Sequence, residues 1–115
     1  MKPEITLIIT NWNGSKLLRE CLPTVLEAVR FDCHHCYEVM VIDDCSNDNS
    51  LRILADEFPE VRAEQTPQNL GFQEANNYAV KLAESKIVMP MNNDIKLDPN
   101  ALPYPALPFA NKDTF

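Results

Sequence analysis

The sequence predicts an α/β protein built on an open, mostly parallel sheet of about four strands, with its elements in βαβαβαβ order. Three observations predict it. Short strand-like runs recur at Ile5–Thr10, Val39–Ile42, Val61–Gln65 and Lys86–Met91, apolar-rich except for the weaker Val61–Gln65. Segments with apolar residues at helical spacing separate them. Each run then stops in a small polar cluster: Asn11–Asn13, Asp43/Asp44, Asn69–Gly71 and Asn92–Asp94. Strand-helix alternation implies right-handed crossovers, and parallel strands bring all their C-terminal ends to one edge. The polar clusters therefore share that edge, where open parallel sheets bind ligands.

In chain order, Ile5–Thr10 is the first strand and Asn11-Trp12-Asn13-Gly14 its turn. Ser15 is expected as an N-cap for a helix from Lys16 to about Arg30, carried by Leu18, Cys21/Leu22, Val25 and Val29. Pro23 predicts a kink or local break inside it. Phe31 to Tyr37 is a connector. The run Val39-Met40-Val41-Ile42 reads as a strand buried on both faces. Leu51, Leu54, Ala55 and Phe58 mark a second helix, with Asp48 as its expected cap and Pro59 as its end. After the short strand Val61–Gln65 and the loop 67–71, Phe72, Ala75, Ala79 and Leu82/Ala83 mark a third helix. The last strand runs into Asn92-Asn93-Asp94. Leu97–Leu102 can start a further helix with Pro99 at its first position. We expect one domain over residues 1–102 and a Pro-rich, loosely ordered tail over 103–115.

The net charge of −7 argues against nucleic acid as a partner. An acidic domain that handles a phosphorylated ligand needs a divalent cation between the two. No apolar run reaches membrane-spanning length, and no signal-peptide pattern is present, so the chain is expected in the cytoplasm, with its four cysteines reduced. Cys33-His34-His35-Cys36 resembles half of a zinc site, but a matching second pair is missing, and we read it as a connector. Only two glycines are present, which excludes a P-loop and a dinucleotide fingerprint. Both histidines lie in that connector, away from the shared edge, so Ser-His-Asp chemistry has no support.

Each polar cluster has a structural and a chemical reading. Asp43 and Asp44 serve as helix-capping acids or as acceptors for a pyrimidine imide or a ribose hydroxyl. Trp12, the only tryptophan, is a core or lid residue or a flat platform for a base. Asn92-Asn93-Asp94 is an Asn-rich turn or a source of oxygen ligands for Mg²⁺ or Mn²⁺.

These residues carry a resemblance. Ile8-Ile9-Thr10-Asn11-Trp12-Asn13-Gly14 resembles the first strand and turn of inverting family two glycosyltransferases, which have the Rossmann-like GT-A fold. Val41-Ile42-Asp43-Asp44-Cys45-Ser46-Asn47-Asp48-Asn49-Ser50 resembles their Val-Asp-Asp-Gly-Ser-Thr-Asp-Gly-Ser block. Asn69-Leu70-Gly71-Phe72 with Asn76 is similar to their Asn-x-Gly-Phe…Asn element, and Met91-Asn92-Asn93-Asp94 falls where they carry an Asp-x-Asp metal motif. The resemblance implies a nucleotide-diphosphate-sugar donor, bound by Thr10, Trp12, Asp43, Asp44, Asn69, Gly71, Asn76 and Asn93. It implies Mg²⁺ or Mn²⁺ on Asp94 and Asn92, Trp12 stacked on the base, Asp44 on the base or ribose, and transfer to an acceptor hydroxyl with inversion. Three departures stand out. Cys45 and Asn49 occupy positions where glycine is common, Asn92 replaces the first acid of the metal motif, and the family continues well beyond this length. The resemblance thus implies a truncated fold whose acceptor site and general base are not among these residues. It also implies an exposed surface prone to self-association, and, for a full-length relative, a place at the inner face of the membrane. Two other functions compete: a catalytically inactive nucleotide-binding or interaction module, and a nucleotidyltransferase-like enzyme, for which Asn13-Gly14-Ser15-Lys16 is a poor phosphate loop.

Overall fold

The computed structural model describes residues 3–32 and 35–99, and the backbone of 110–111. The elements are β1 (Ile5–Asn11), α1 (Ser15–Phe31), β2 (Tyr37–Asp43), α2 (Ser50–Glu57), β3 (Arg62–Gln65), α3 (Phe72–Leu82), β4 (Ile87–Asn92) and β5 (Ala110–Asn111). The sheet order is β3-β2-β1-β4-β5. β1 to β4 run parallel to one another, as the alternation predicts.

The two faces of the sheet have different covers. Leu7, Ile9, Val39, Val41, Met89 and Met91 face α1 and α2 and pack on Leu18, Leu22, Val25, Ile53 and Leu54. Ile8, Met40, Ile42 and Val88 face α3 and pack on Ala79, Val80 and Ala83. Because side chains alternate along a strand, the parity of a residue number decides which cover it meets. β1 is buried along its whole length, in keeping with an apolar-rich sequence whose polar residues, Thr6, Thr10 and Asn11, are buried too.

Several local expectations are corrected. Ser15 is the first residue of α1, and Gly14 holds the cap position without a side-chain bond. α1 passes through Pro23 unbroken; Pro23 and Arg19, whose carbonyl loses its helical partner there, lie on the solvent face. Asn49, not Asp48, is the cap residue of α2. Asp48 nevertheless serves two helix starts: Oδ2 accepts from the Ser15 amide at 3.1 Å, and Oδ1 accepts from the Ser50 amide at 3.0 Å. The expected tail contributes β5, which pairs antiparallel with Ile87 and Val88. Residues 97–99 are not helical, and 100–102 of that expected helix lie outside the described residues. Instead Ile95 and Leu97 pack on the α1 side of the core, and the Leu97 amide donates to Thr24 Oγ1 at 2.9 Å. Within the connector, Tyr37 donates to Asp32 at 2.6 Å, and His35 Nδ1 lies 2.9 Å from the same carboxylate. Burial, with that neighbouring carboxylate, pushes the Tyr37 hydroxyl well above its usual pKa. Cys33 and His34 lie outside the described residues; Cys21, Cys36 and Cys45 are free thiols.

Candidate functional site

The register sets the strand tips level: Asn11 pairs with Asp43, Asp43 with Gln65, and Thr10 with Asn92. A cavity of about 420 Å³ opens at this edge, lined by Thr10, Trp12, Asp44, Asn69, Gly71, Phe72 and Asn93. Thr10 and Asp44 belong to the face that α3 covers, so the cavity lies beyond the end of that layer.

Alternation separates the two adjacent acids. Asp43 points to the α1/α2 side and is wholly buried. Its oxygens accept from Asn11 Nδ2 at 2.9 Å, Ser46 N at 2.9 Å and Ser46 Oγ at 2.6 Å. Of the two acids expected at a ligand, Asp43 is not among the residues that line the cavity. Asp44 does line it. Its Oδ1 accepts from the Leu70 amide and the Thr66 hydroxyl, and its Oδ2 from the Gly71 amide, each at 2.8 Å. The Asp44 carbonyl accepts from Asn69 Nδ2 at 3.1 Å. Asp44 thus ties the 66–71 loop to the tip of β2, and Gly71 reaches this bond with φ 86°, a region open to glycine at little cost.

A second set of bonds joins the strand tips on the other side. Asn11 is completely buried; its Nδ2 donates to Asp43, and its Oδ1 accepts from Asn93 Nδ2 at 3.0 Å. Gly14 lies against this pair. A Cβ there would stand 2.4 Å from Asn93 Nδ2 and 2.5 Å from Asn11 Oδ1. Asn13, left-handed at φ 51°, accepts from the Asn47 amide at 2.6 Å and donates its own amide to Ser46 Oγ at 2.8 Å. Cys45 is also left-handed, at φ 60°, so it occupies a glycine-like conformation, whereas Asn49 at φ −91° does not.

Among the described residues, two buried side-chain polar atoms have no protein partner. Thr10 Oγ1 is buried, with the residue 8% exposed, and it borders the cavity; Asn76 Oδ1 on α3 is buried as well. Trp12 is 56% exposed on the cavity wall. Of the expected nucleotide-binding residues, Thr10, Trp12, Asp44, Asn69, Gly71 and Asn93 share the wall, while Asp43 and Asn76 do not line it. Asn92 and Asp94 are exposed and outside the cavity lining. Among the described residues, no three His, Cys, Asp or Glu side chains gather into a metal-binding group. The available set is one exposed carboxylate with neighbouring amide oxygens, which suits a hard divalent ion only when ligand phosphates and water complete its shell. Sequence reasoning missed Asn11, whose amide bridges Asp43 and Asn93, and Phe72, which it assigned to the helix core.

The family model for Glycosyl transferase family 2 matches residues 6–114. Escherichia coli chondroitin synthase is 31% identical over 103 residues, covering 87% of this chain and 14% of that protein. Among solved structures, S. aureus TarS in complex with UDP-GlcNAc superposes with a TM-score of 0.73 at 28% identity, over 89% of this chain and 29% of that one. The mannosyltransferase PcManGT from Pyrobaculum calidifontis, in complex with GDP-Man and Mn²⁺, shares the fold with a TM-score of 0.67 at 23% identity, over 88% of this chain and 30% of that one. The chain spans less than a third of the length of each of these relatives.

Proposed function

Because the chain belongs to glycosyl transferase family 2, we propose that its cavity binds a nucleotide-diphosphate sugar and that the chain supplies the donor side of an inverting, metal-assisted sugar transfer. The observation that carries this reading is the cavity itself. It joins an exposed tryptophan, an unpartnered buried hydroxyl at Thr10 and a rim of backbone and amide groups at the C-terminal edge of a parallel sheet. TarS, bound to UDP and to UDP-GlcNAc in its own structures, supports it by similarity.

In this reading Trp12 offers a plane for the base, and the Thr10 hydroxyl takes a polar atom of the nucleoside. Asp44 keeps the 66–71 loop in place, so that Asn69 and Gly71 form a fixed wall. Asn11 fixes the Asn93 side chain at the opposite wall, so its remaining amide oxygen faces the ligand without a search through rotamers. Asp94, with Asn92 beside it, would hold Mg²⁺ or Mn²⁺, with donor phosphates and water completing its shell. The bound ion supplies neutralisation of the charge that develops on the leaving nucleotide. A chain with net charge −7 gains most from such an ion when its ligand is itself an anion. The general base is assigned to no described residue. The remaining proposals are that the acceptor site is built elsewhere in the full enzyme and that the chain works in the cytoplasm.

Calorimetric titration with UDP, GDP and dTDP, each with and without Mn²⁺, tests the proposal. Saturable heat with at least one nucleotide, larger with Mn²⁺, is expected. No heat with any of them sinks it.

A further inference from the structure

Phe72 is the first residue of α3, on the same helical stripe as Ala75 and Ala79, which are fully buried against the sheet. It stands about two turns before Ala79, where the strands have ended, and there its ring is 54% exposed on the cavity wall. Trp12 is the other exposed aromatic on that wall. The one aromatic ring pair among the described residues is His35–Tyr37, so neither Trp12 nor Phe72 has a ring partner. The same wall offers polar groups suited to the edge of a flat heterocycle: the unpartnered Thr10 hydroxyl and the Asn69 amide. Two unpartnered aromatic planes with polar groups on one wall match a ring that has two apolar faces and a polar rim.

We propose that Phe72 is a second stacking residue, so that the base of the donor is held between Trp12 and Phe72. This rests on the nucleotide-sugar reading above and extends it to a residue outside the expected site. It also sets a division of labour: the two rings grip the base, and the diphosphate is left to the Asn93–Asp94 side.

Trp12 is the only tryptophan, so its fluorescence reports the base directly. We would titrate the full chain and its Phe72→Ala, Phe72→Leu and Phe72→Tyr variants with UDP, UDP-GlcNAc and inorganic pyrophosphate in the presence of Mn²⁺. Pyrophosphate binding would be followed by calorimetry. Phe72→Ala is expected to weaken UDP and UDP-GlcNAc equally, by roughly tenfold, and to leave pyrophosphate unchanged. Phe72→Leu keeps apolar volume at this position without a plane and is expected to bind as weakly as Phe72→Ala. Phe72→Tyr is expected to restore affinity. Wild-type affinity in Phe72→Ala or Phe72→Leu overturns the proposal while leaving donor binding intact. A loss confined to UDP-GlcNAc also overturns it, because the ring would then lie against the sugar. A wild-type chain that binds none of the probes removes the donor reading and this proposal together.

Discussion

The side-chain amide of Asn93 donates to Oδ1 of Asn11 across 3.0 Å, joining the loop after β4 to the end of β1. Asn11 passes the connection to Asp43 on β2. Three neighbouring strand ends are thereby fixed to one another just behind the cavity wall.

Gly14→Ala tests how much depends on that join. Gly14 has φ −110°, which alanine adopts freely, so any loss is steric. The added methyl meets Asn93 Nδ2 and Asn11 Oδ1 and forces them apart. We expect a loss of about 1–3 kcal/mol in urea unfolding and weaker nucleotide binding. An unchanged midpoint and affinity would show that the pair is dispensable.

Asp44→Asn removes a charged acceptor from the Leu70 and Gly71 amides and sets an NH₂ group against one of them. Hydrogen bonds to a carboxylate are worth about 1.5–3 kcal/mol, and we expect destabilisation in that range. Hydrogen exchange at Leu70 and Gly71 should accelerate more than at β1 or β2. Uniform acceleration across the sheet would contradict a role centred on the loop.

Asp48 predicts an acid limb in the stability curve. Burial is the largest single influence and pushes its pKa up. The hydrogen bonds from Ser50 and Ser15 together outweigh it, so the folded value lies below the ordinary 3.8. A depressed carboxylate stabilises above its unfolded pKa and loses that contribution as pH falls through the folded value. Asp48→Ala should cost about 1 kcal/mol or more at neutral pH, as a lost cap does. The gap from wild type should close below about pH 3.8, as read from urea midpoints across an acid series. A gap independent of pH would rule out the carboxylate as its source.

Cys45 holds a left-handed conformation that costs a non-glycine residue about 1 kcal/mol. Its thiol also lies 3.2 Å from the Thr66 carbonyl. Cys45→Gly relieves the backbone, and Cys45→Ala does not. The glycine variant should be the more stable of the two by about 0.5–1 kcal/mol, and equal thermal midpoints would refute the strain.

Asp94→Ala addresses the metal. UDP affinity without Mn²⁺ should be unchanged, and the Mn²⁺-dependent gain should fall at least severalfold. A gain that survives the substitution places the ion elsewhere.

Much of the fold was legible because its two signals are strong. The apolar-rich run Ile5–Thr10 and the unbroken apolar run Val39–Ile42 mark buried parallel strands, and the spacing of Leu18, Leu22 and Val25 marks a helix. β5 was not legible: two residues, Ala110 and Asn111, carry no period, and their pairing is set by the edge that β4 leaves open. The cavity wall was readable as a list of strand tips, but the different positions of Asp43 and Asp44 required the parity of β2 to be followed one residue past its apolar run. Asn11 was hidden because an amide between a strand and a turn reads as turn chemistry. Phe72 was hidden because its spacing fits a core stripe, and only the lengths of the strands reveal that no core lies beneath it.

Of the two glycines of this chain, Gly71 lines the cavity and Gly14 packs against Asn11 and Asn93 behind it. The left-handed turns at Asn13 and Cys45 are made by residues with side chains. With nine prolines against two glycines, the unfolded chain has few loose joints, and it surrenders less backbone freedom on folding than a glycine-rich chain of equal length. The same economy limits sequence drift. Most turns can exchange one side chain for another, but this edge of the sheet depends on the two positions where no side chain is admitted without clash or strain.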